Sequence, residues 1–309
     1  MSGHATDALG PPETVEVADG VFAYVQPDGS WWINNTGFVV ASDAVVAIDA
    51  TSTERRTRAL LDAISAVTPA PVRTLVNTHH HGDHTNGNCL FGDATVVAHR
   101  RCRDAVLAQT IGGLEAVFGE VDWGALDVRA PELVFDDHID LYAAGRRVEL
   151  HYIGTPAHTV GDVVAWLPDE RVLFAGDLVF AGGTPFVLMG SVVGALEALP
   201  RLREFAAGTI VPGHGPVCDA TAIDVVERYL LFVADAAVRA RNAGLSPLDT
   251  ARELDLGEFA ELHDSERIVG NLHRAMAELG DTPRGGAIDI VAAFTDMVAF
   301  NGGPLRCLA

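Results

Sequence analysis

Short runs of apolar residues, with polar residues alternating between them, dominate the first third of the chain and predict β-strands. We predict strands over residues 21–25, 31–40, 44–48, 72–77 and 95–98. Two other stretches predict helices over about 52–67 and 101–109, because their apolar residues recur at helical spacing. Ser52 precedes the first of these helices as a suitable N-cap.

The second part of the chain repeats this pattern and then becomes almost purely helical. We predict a hairpin of 139–142 and 147–153 about Ala144 and Gly145, strands over 162–167, 172–175 and 209–211, and a helix over 193–205. Beyond these, helical periodicity predicts helices over 220–243, 247–253, 265–279 and 287–300. Two β-rich parts flanked by helices predict an α/β chain folded as a four-layer αββα sandwich, with a C-terminal helical extension.

The same pattern predicts three segments. Residues 1–12 contain Gly and Pro without apolar periodicity, and we expect a disordered N-terminal end. We expect residues 13–219 to form the catalytic domain and residues 220–309 to form a helical extension packed on that domain. The apolar stripe of this extension shows that one side is buried, which fits a lid or a homodimer face.

Composition and charge restrict the partners. The net charge is −21 and the chain contains no Lys, so nothing supplies a basic face for a nucleic acid, and lysine Schiff-base chemistry is excluded. No apolar run approaches the length of a membrane span, and we predict no membrane partner. The first cationic residue is Arg55, which disfavours a secretory leader, and the four Cys show no paired spacing. We therefore expect a cytoplasmic protein.

The strongest chemical signal follows the predicted strand 72–77. His79 and His81 lie two residues apart, so on an extended backbone they point the same way and can hold one ion. A tight turn at Gly82 brings Asp83 and His84 towards a second ion beside the first. Imidazole nitrogen and carboxylate oxygen are common zinc ligands, so this segment predicts a metal site rather than a run of surface histidines.

Three further candidates follow later predicted strands. His158 lies in the stretch from Gly154 to Asp162, Asp177 follows Gly176, and His214 lies between two glycines. Alone, each is typical of a surface residue or a turn residue. Together with the first motif, and in this order, they indicate metal ligands.

The combined pattern resembles the metallo-β-lactamase superfamily over about residues 15–220. The resemblance implies the αββα fold, with two divalent metal ions at its edge, and it favours zinc. It implies that His79, His81 and His158 hold the first ion. It also implies that Asp83, His84 and His214 hold the second and that Asp177 bridges both.

Further stretches are similar to the metal-dependent cyclase/thioesterase proteins of bacterial aromatic polyketide pathways. These stretches are 77–84, 122–124, 184–186, 190–192 and 299–303. Glutathione-thioester hydrolases of the superfamily hold an anionic substrate with basic side chains, and the absence of Lys weakens that alternative. We expect loops to place these apolar side chains around the metals, where they suit a flat acyl group: Trp31, Trp32, Phe180, Phe186, Leu188 and Met189.

These features predict hydrolysis of an ester or thioester carried by a small molecule or a carrier protein. Two ions about 3.5–4 Å apart would lower the pKa of a shared water and polarise a carbonyl oxygen. Asp83 is the predicted catalytic residue, because it can orient the nucleophile and relay its proton. Asp162 and His80 are candidates for supporting the metal-bound imidazoles.

Other functions remain open at this point. The same metals would serve a lactonase acting on acyl-homoserine lactones or, less favoured without an export signal, a β-lactamase. The acidic charge and the absence of Lys disfavour a nuclease. A non-enzymatic relative that kept the fold is disfavoured, because all seven expected ligand positions are filled.

Overall fold

The computed structural model describes residues 9–143 and 145–309, and within these ranges the strands form two facing sheets. The strands of the first sheet, in spatial order, are β1 (Glu13–Ala18), β2 (Val21–Val25), β3 (Thr36–Val40), β4 (Val45–Ile48), β5 (Val72–Val76), β6 (Thr95–His99) and β7 (Leu133–Phe135). Strands β1 to β4 pair antiparallel, and β4 to β7 pair parallel.

The second sheet contains the remaining strands of the described residues. They are β8 (His138–Ala143), β9 (Arg146–Tyr152), β10 (Val163–Leu167), β11 (Val172–Phe180) and β12 (Thr209–His214). Strands β8 to β11 pair antiparallel in chain order, and β12 adds to β11 in parallel. Strand β10 is buried along its whole length, which explains its continuous apolar sequence.

Helices cover the outer face of each sheet. They are α1 (Glu54–Val67), α2 (Gly82–Thr85), α3 (Arg100–Leu107), α4 (Glu115–Phe118), α5 (Val192–Glu204), α6 (Thr221–Ala243), α7 (Pro247–Glu253), α8 (Arg267–Leu279) and α9 (Ile290–Asn301). Helix α1 packs on the first sheet through Leu60 and Ile64. Helices α5, α6 and α8 join one apolar cluster with the second sheet.

The core between the sheets consists mainly of small branched residues. Val46 and Val97 of the first sheet pack in one cluster with Val163 and Val211 of the second. The layers therefore run helix, sheet, sheet, helix, and the predicted αββα sandwich with C-terminal helices is confirmed. No helix within the described residues is long and apolar enough to cross a membrane.

The structure corrects several predicted boundaries. The predicted strand 31–40 begins only at Thr36, because the backbone turns at Trp32, which has a left-handed φ of 65°. Strand β11 continues past residue 175 to Phe180, where it bridges to His214 at the end of β12. Strands β1 and β7 were not predicted. The predicted disordered end lies largely outside the described residues, as does Ala144 of the predicted hairpin turn.

Candidate metal centre

The histidine-rich segment leaves the carboxyl end of β5 and is fixed by the side chain of Asn77. This amide donates to the carbonyl oxygen of His84 at 3.1 Å and to Asn88 at 3.0 Å. The chain then turns into α2 at Gly82, where a Cβ would lie 2.8 Å from atoms of both Asn86 and Trp32. The close packing of this turn therefore requires a glycine.

His158 lies in a loop between β9 and β10 that its own sequence stabilises. The carboxylate of Asp162 accepts hydrogen bonds from the backbone N–H of Thr159 at 2.9 Å and from its hydroxyl at 2.6 Å. The His158 ring donates from Nδ1 to the carbonyl oxygen of Phe186, which turns Nε2 towards the centre, 2.8 Å from Nδ1 of His81. Asp162 therefore shapes this loop, and among the described residues it has no hydrogen bond to a histidine ring.

Asp177 and His214 lie on neighbouring strands of the second sheet. At Gly176, which has φ +52°, a Cβ would lie 2.8 Å from the Thr78 hydroxyl, so the strand approaches the histidine segment closely. At Gly213 a Cβ would lie 1.9 Å from Oδ1 of Asp177. These two glycines let Asp177 lie against both the histidine segment and β12.

The seven predicted ligands come together in two groups. Within each group, the ligand atoms lie within 4.8 Å of one another. One group is His79, His81, His158 and Asp177, and the other is Asp83, His84 and His214. The resemblance implies the same grouping of the six other residues, but it expects Asp177 to belong to both groups rather than to the first alone. The assignment of each residue to an ion stays a prediction, because it concerns bonds to ions.

The separations between ligand atoms fit coordination of metal ions. Four zinc ligands at about 2.0–2.1 Å in a tetrahedron lie roughly 3.4 Å from one another. Oδ2 of Asp177 lies 3.3 Å from Nε2 of both His158 and His214, and 3.9 Å from Nε2 of His79. Oδ2 of Asp83 lies 3.3 Å from Nε2 of His214.

Within the described residues, several buried polar atoms at the centre have no hydrogen bond. They are Nε2 of His79, together with Nε2 of His84 and Oδ1 of Asp177, which lie 3.1 Å apart without hydrogen-bond geometry. Burying unpaired polar atoms is costly, so their convergence calls for a further binding partner. A pair of cations would satisfy these atoms, and the donor set therefore fits the metal ions that the resemblance implies.

The pKa shifts at the centre reflect burial and a concentration of negative charge. Burial, aided by neighbouring imidazoles, lowers the pKa of His79 and His81 well below the ordinary value. For Asp83, burial opposes ionisation, but His84 and His214 outweigh it and lower the pKa of the carboxyl. Burial likewise opposes protonation of His214, yet Asp177 and Asp83 raise its pKa to about 8. Metals bind neutral imidazoles and ionised carboxylates, so His79, His81 and Asp83 favour the metal-binding form. A cation would have to displace the proton that the neighbouring carboxylates stabilise on His214 and on His84, whose pKa they also raise against the effect of burial.

Asp49, at the end of β4, is a buried site residue that the sequence analysis missed. Its Oδ2 lies 2.8 Å from Nδ1 of His84 and accepts the Thr78 hydroxyl at 2.7 Å, while its Oδ1 accepts the Thr78 N–H. This carboxylate therefore orients a predicted ligand, which is the role expected of Asp162. A lone Asp after a predicted apolar strand was the available signal.

The metal centre opens into a pocket of about 260 Å³. Five of the six apolar side chains predicted around the metals line it, namely Trp31, Trp32, Phe180, Phe186 and Met189. Leu188 is instead fully buried in the core. His80 is buried, is absent from both ligand groups, and accepts a hydrogen bond from Gln109 through its carbonyl oxygen.

Several pocket residues were not predicted. Leu114 and Phe118 come from the segment around α4, and Arg267 and Phe294 come from α8 and α9. Within the described residues, Arg267 is the only arginine lining the pocket, and it is paired with Asp264 at 2.8 Å. The pocket is therefore mainly aromatic. Its one arginine from the described part of the chain is ion-paired with Asp264, although the Nε of this arginine has no hydrogen-bond partner there.

A comparison with protein families agrees with this fold and site. The model of the metallo-beta-lactamase superfamily matches residues 29–214, more than half of the chain. The chain therefore belongs to the metallo-beta-lactamase superfamily of hydrolases, and it carries a candidate metal-binding site.

The names of the curated relatives indicate hydrolases of different substrates. Linear primary-alkylsulfatase of Pseudomonas sp. is 25% identical over 71% of this chain and 49% of that protein. Hydroxyacylglutathione hydrolase of Rhodospirillum rubrum is 31% identical over 57% of this chain and 60% of that protein. This chain thus spans about half of the length of the relatives it matches.

Solved structures share the fold. A metallo-beta-lactamase from Pontibacter korlensis superposes with a TM-score of 0.60 at 21% identity, covering 72% of this chain and 99% of that chain. The DIM-1 metallo-beta-lactamase, in a crystal exposed to ceftazidime, gives a TM-score of 0.60 at 18% identity, covering 73% and 99%. At these identities the likeness concerns the fold alone.

Proposed function

We propose that the protein is a dinuclear-metal-dependent hydrolase that cleaves an ester or thioester with an apolar, aromatic acyl group. The observation that carries this proposal is the position of the ligand groups. His81, Asp83, His158, Asp177 and His214 belong to them and also line the aromatic pocket. A substrate in this pocket would therefore have its reactive bond beside the predicted metals and its acyl group against aromatic rings.

One ion would be held by His79, His81 and His158. The other ion would be held by Asp83, His84 and His214. Asp177 would contact both ions. When bound, such ions lower the pKa of water and polarise a carbonyl oxygen. The carboxylate of Asp83, at the pocket floor, would orient the attacking water.

Asp83 would also move the proton. As the water oxygen bonds to the acyl carbon, its carboxylate would accept the proton from that water. As the acyl carbon–sulfur or carbon–oxygen bond breaks, the carboxylate would return the proton to the leaving atom. The products would be a carboxylic acid and a thiol or alcohol. Trp31 and Trp32, packed with Phe118, would exclude bulk water from this step.

The hydroxyacylglutathione hydrolase relatives support a thioester as the cleaved bond. The pocket, however, differs from one built for an anionic thiol, because Arg267 is its only arginine within the described residues and is already paired with Asp264. A neutral apolar acyl group fits this lining better. We therefore place the acyl group, rather than an anionic leaving group, inside the pocket.

An aromatic polyketide carried as a thioester is the narrower substrate that we propose, with or without coupled ring closure. This proposal rests on the stretches that are similar to the cyclase/thioesterase proteins, and two of these, 122–124 and 184–186, border the pocket. Trp123 packs on Trp32 with ring centroids 4.6 Å apart. The carbonyl oxygen of Phe186 accepts the hydrogen bond from His158. These contacts support a role for both stretches in shaping the site.

A second candidate is a sulfate ester of an alkyl chain. The alkylsulfatase relative covers 71% of this chain, and an apolar pocket would accept an alkyl chain. The pairing of Arg267 with Asp264 counts against it, because a sulfate group needs cationic or hydrogen-bond donors.

The test combines metal analysis with a substrate panel. We expect about two zinc-like ions per chain in the purified protein. The panel contains a naphthoyl thioester, an acetyl thioester, an acyl-homoserine lactone, a chromogenic cephalosporin and dodecyl sulfate. We expect the naphthoyl thioester to have the highest kcat/KM of these five substrates. Preference for the lactone, the cephalosporin or the sulfate ester would replace the proposal with that activity. Full activity in a strong chelator would refute the metal-dependent mechanism.

A further inference from the structure

The indole of Trp31 lies at the centre of the aromatic wall of the pocket. Its ring centroid lies 5.0 Å from that of Phe186 and 5.4 Å from that of Phe118, both in edge-to-face geometry. It also lies 6.2 Å from the ring of Phe294 on α9. Any shift of this indole would change the shape that the wall presents to a ligand.

Two charged residues at the start of α8 fix this indole. The Trp31 ring nitrogen Nε1 donates to Oε1 of Glu266 at 2.6 Å. The Arg267 guanidinium lies 4.3 Å from the Trp31 ring centroid, over its face. The indole is therefore held at its polar edge and on its face by adjacent residues of one helix start.

This arrangement is costly unless each charged group is satisfied, because Glu266 is only 7% exposed and Arg267 only 1%. Arg267 is anchored by an ion pair with Asp264 at 2.8 Å and by a hydrogen bond to the carbonyl oxygen of Thr184 at 3.0 Å. Among the described residues, the carboxylate of Glu266 accepts its hydrogen bond from the Trp31 indole. The carboxylate thus acts as a directional acceptor for this ring.

We infer that α8 and α9, which follow the segment matched by the superfamily, determine which acyl group the pocket admits, with Glu266 as the positioning residue for Trp31. Phe294 would contribute directly, because it lines the pocket beside Trp31. This inference rests on the proposed function for its substrate. The control of the aromatic wall by α8 can also be measured without catalysis, as the affinity of the pocket for an aromatic ligand.

The test compares Glu266→Leu with Glu266→Gln, because the glutamine carbonyl oxygen can still accept the indole N–H. The first readout is fluorescence titration with a neutral dimethylaminonaphthalene dye. We expect Glu266→Leu to raise the Kd of this dye about tenfold, the change expected for losing a charge-assisted hydrogen bond. We expect Glu266→Gln to stay within about twofold of the parent protein.

The second readout is kinetic. We expect Glu266→Leu to raise KM for a naphthoyl thioester by a similar factor while leaving its kcat and the KM for an acetyl thioester unchanged. An acetyl group is too small to depend on the position of the indole. The matched control is Glu258→Leu, since Glu258 is exposed and its ion pair among the described residues is with Arg228 on the surface.

A second variant keeps the inference testable if Glu266→Leu fails to fold. Trp31→Phe removes the indole donor but keeps a ring, and we expect the same rise in Kd. Glu266→Ala, which removes the carboxylate, should add no further rise in this background, because the contact is already lost. Unchanged dye affinity in Trp31→Phe and Glu266→Leu, or equal damage to acetyl and naphthoyl turnover, would overturn the inference. Absence of all thioesterase activity in the parent protein would defeat the proposed function, and the dye titration would still decide the role of α8.

Discussion

At the residue scale, the site depends on which nitrogen of each histidine faces the centre. His84 and His158 direct Nδ1 to Asp49 and to the Phe186 carbonyl oxygen, respectively. His214 directs Nδ1 to the carbonyl oxygen of Gly29 at 3.1 Å. Each of these contacts leaves Nε2 as the inward atom. The surrounding hydrogen bonds therefore select the tautomer that presents a lone pair to a cation.

Asp83→Asn tests the predicted catalytic carboxylate. Asparagine has nearly the same volume but cannot accept and return a proton, so we expect kcat to fall by about 10²–10⁴-fold. Steady-state kinetics at saturating zinc, together with metal content, measures the effect. The control is Asp93→Asn, the same change at an exposed position. An unchanged kcat in the metal-loaded Asp83→Asn protein would exclude this role.

Asp49→Asn tests the support of His84. Asparagine tolerates the left-handed backbone that Asp49 adopts at φ 62°, so the substitution adds little strain. In the parent protein Oδ2 serves both His84 and the Thr78 hydroxyl, while Oδ1 accepts the Thr78 N–H. Asparagine keeps one of these two oxygens and loses the negative charge, so either His84 or the Thr78 N–H faces an amide NH2 group, and the support of the His84 tautomer is weakened. We expect metal affinity to fall roughly 10–100-fold, measured by competition with a chromogenic chelator. Asp43→Asn, at an exposed position, is the control, and equal affinities in both variants would contradict the interpretation.

The cluster of candidate ligands was predictable from the sequence, whereas the residue that supports His84 was not. The segment from His79 to His84 carries its chemistry in its spacing. Asp49 reaches His84 only because β4 and β5 are parallel neighbours, so their carboxyl ends meet. Such a contact depends on sheet order, which a local pattern does not contain. Asp162 was a reasonable candidate by type, but the structure uses it inside its own loop.

At the scale of elements, the His158 loop is held by the start of α5. The backbone N–H of Ser191, the N-cap of this helix, donates to the carbonyl oxygen of Ala157 at 2.8 Å. Just before it, a Cβ on Gly190 would lie 1.9 Å from that same oxygen. The approach of α5 therefore fixes the backbone that carries His158, and it leaves no room for a side chain at Gly190.

Gly190→Ala tests this coupling. The added methyl would meet backbone atoms that cannot rotate away, so the loop must shift. We expect the free energy of unfolding to fall by about 1–3 kcal/mol, measured by urea denaturation. We also expect weaker metal binding, since the shift moves His158. Gly208→Ala is the control, because its Cβ would meet only ordinary contacts, the nearest at 3.7 Å. Equal stability of the two variants would show that α5 does not constrain the loop.

The regular elements were easier to predict than the loops that bear the site. The helix over 247–253 and the strand over 21–25 were predicted with the boundaries that the structure has, because periodicity is a local property. The segment before Thr36 is apolar enough to be taken for a strand. It turns instead because Arg56 donates to the carbonyl oxygens of Trp32 and Asn34. A buried arginine on α1 therefore holds the backbone turn at Trp32.

At the scale of the whole molecule, the pocket unites two parts of the chain that the sequence analysis treated separately. The superfamily match covers 29–214, whereas Arg267 and Phe294 lie in the predicted helical extension. Helix α8 also packs against α6 through Asn271, which donates to the Tyr229 hydroxyl at 3.1 Å. The apolar stripes of the tail predicted burial but not the surface that they cover. A homodimer, a carrier-bound substrate and a cytoplasmic location stay predictions.

Removal of the metals should destabilise the whole protein as well as abolish activity. Asp49, Asp83 and Asp177 place three buried carboxylates around the centre, and without cations their charges are only partly offset by imidazoles. A ligand that binds only the folded state adds about 2.7 kcal/mol of stability at a hundred times its Kd. We therefore expect a strong chelator to lower the Tm and excess zinc to restore it, measured by differential scanning calorimetry.

The matched control for this prediction is Asp177→Asn, which weakens the residue shared by both predicted ions. We expect this variant to melt at a similar temperature with and without chelator, because little metal remains to be removed. A parent protein whose Tm is the same in chelator and in zinc would show that the buried carboxylates are satisfied without cations. Since His79, His84 and Asp177 each leave a buried atom unpaired, we expect the dependence on metal instead.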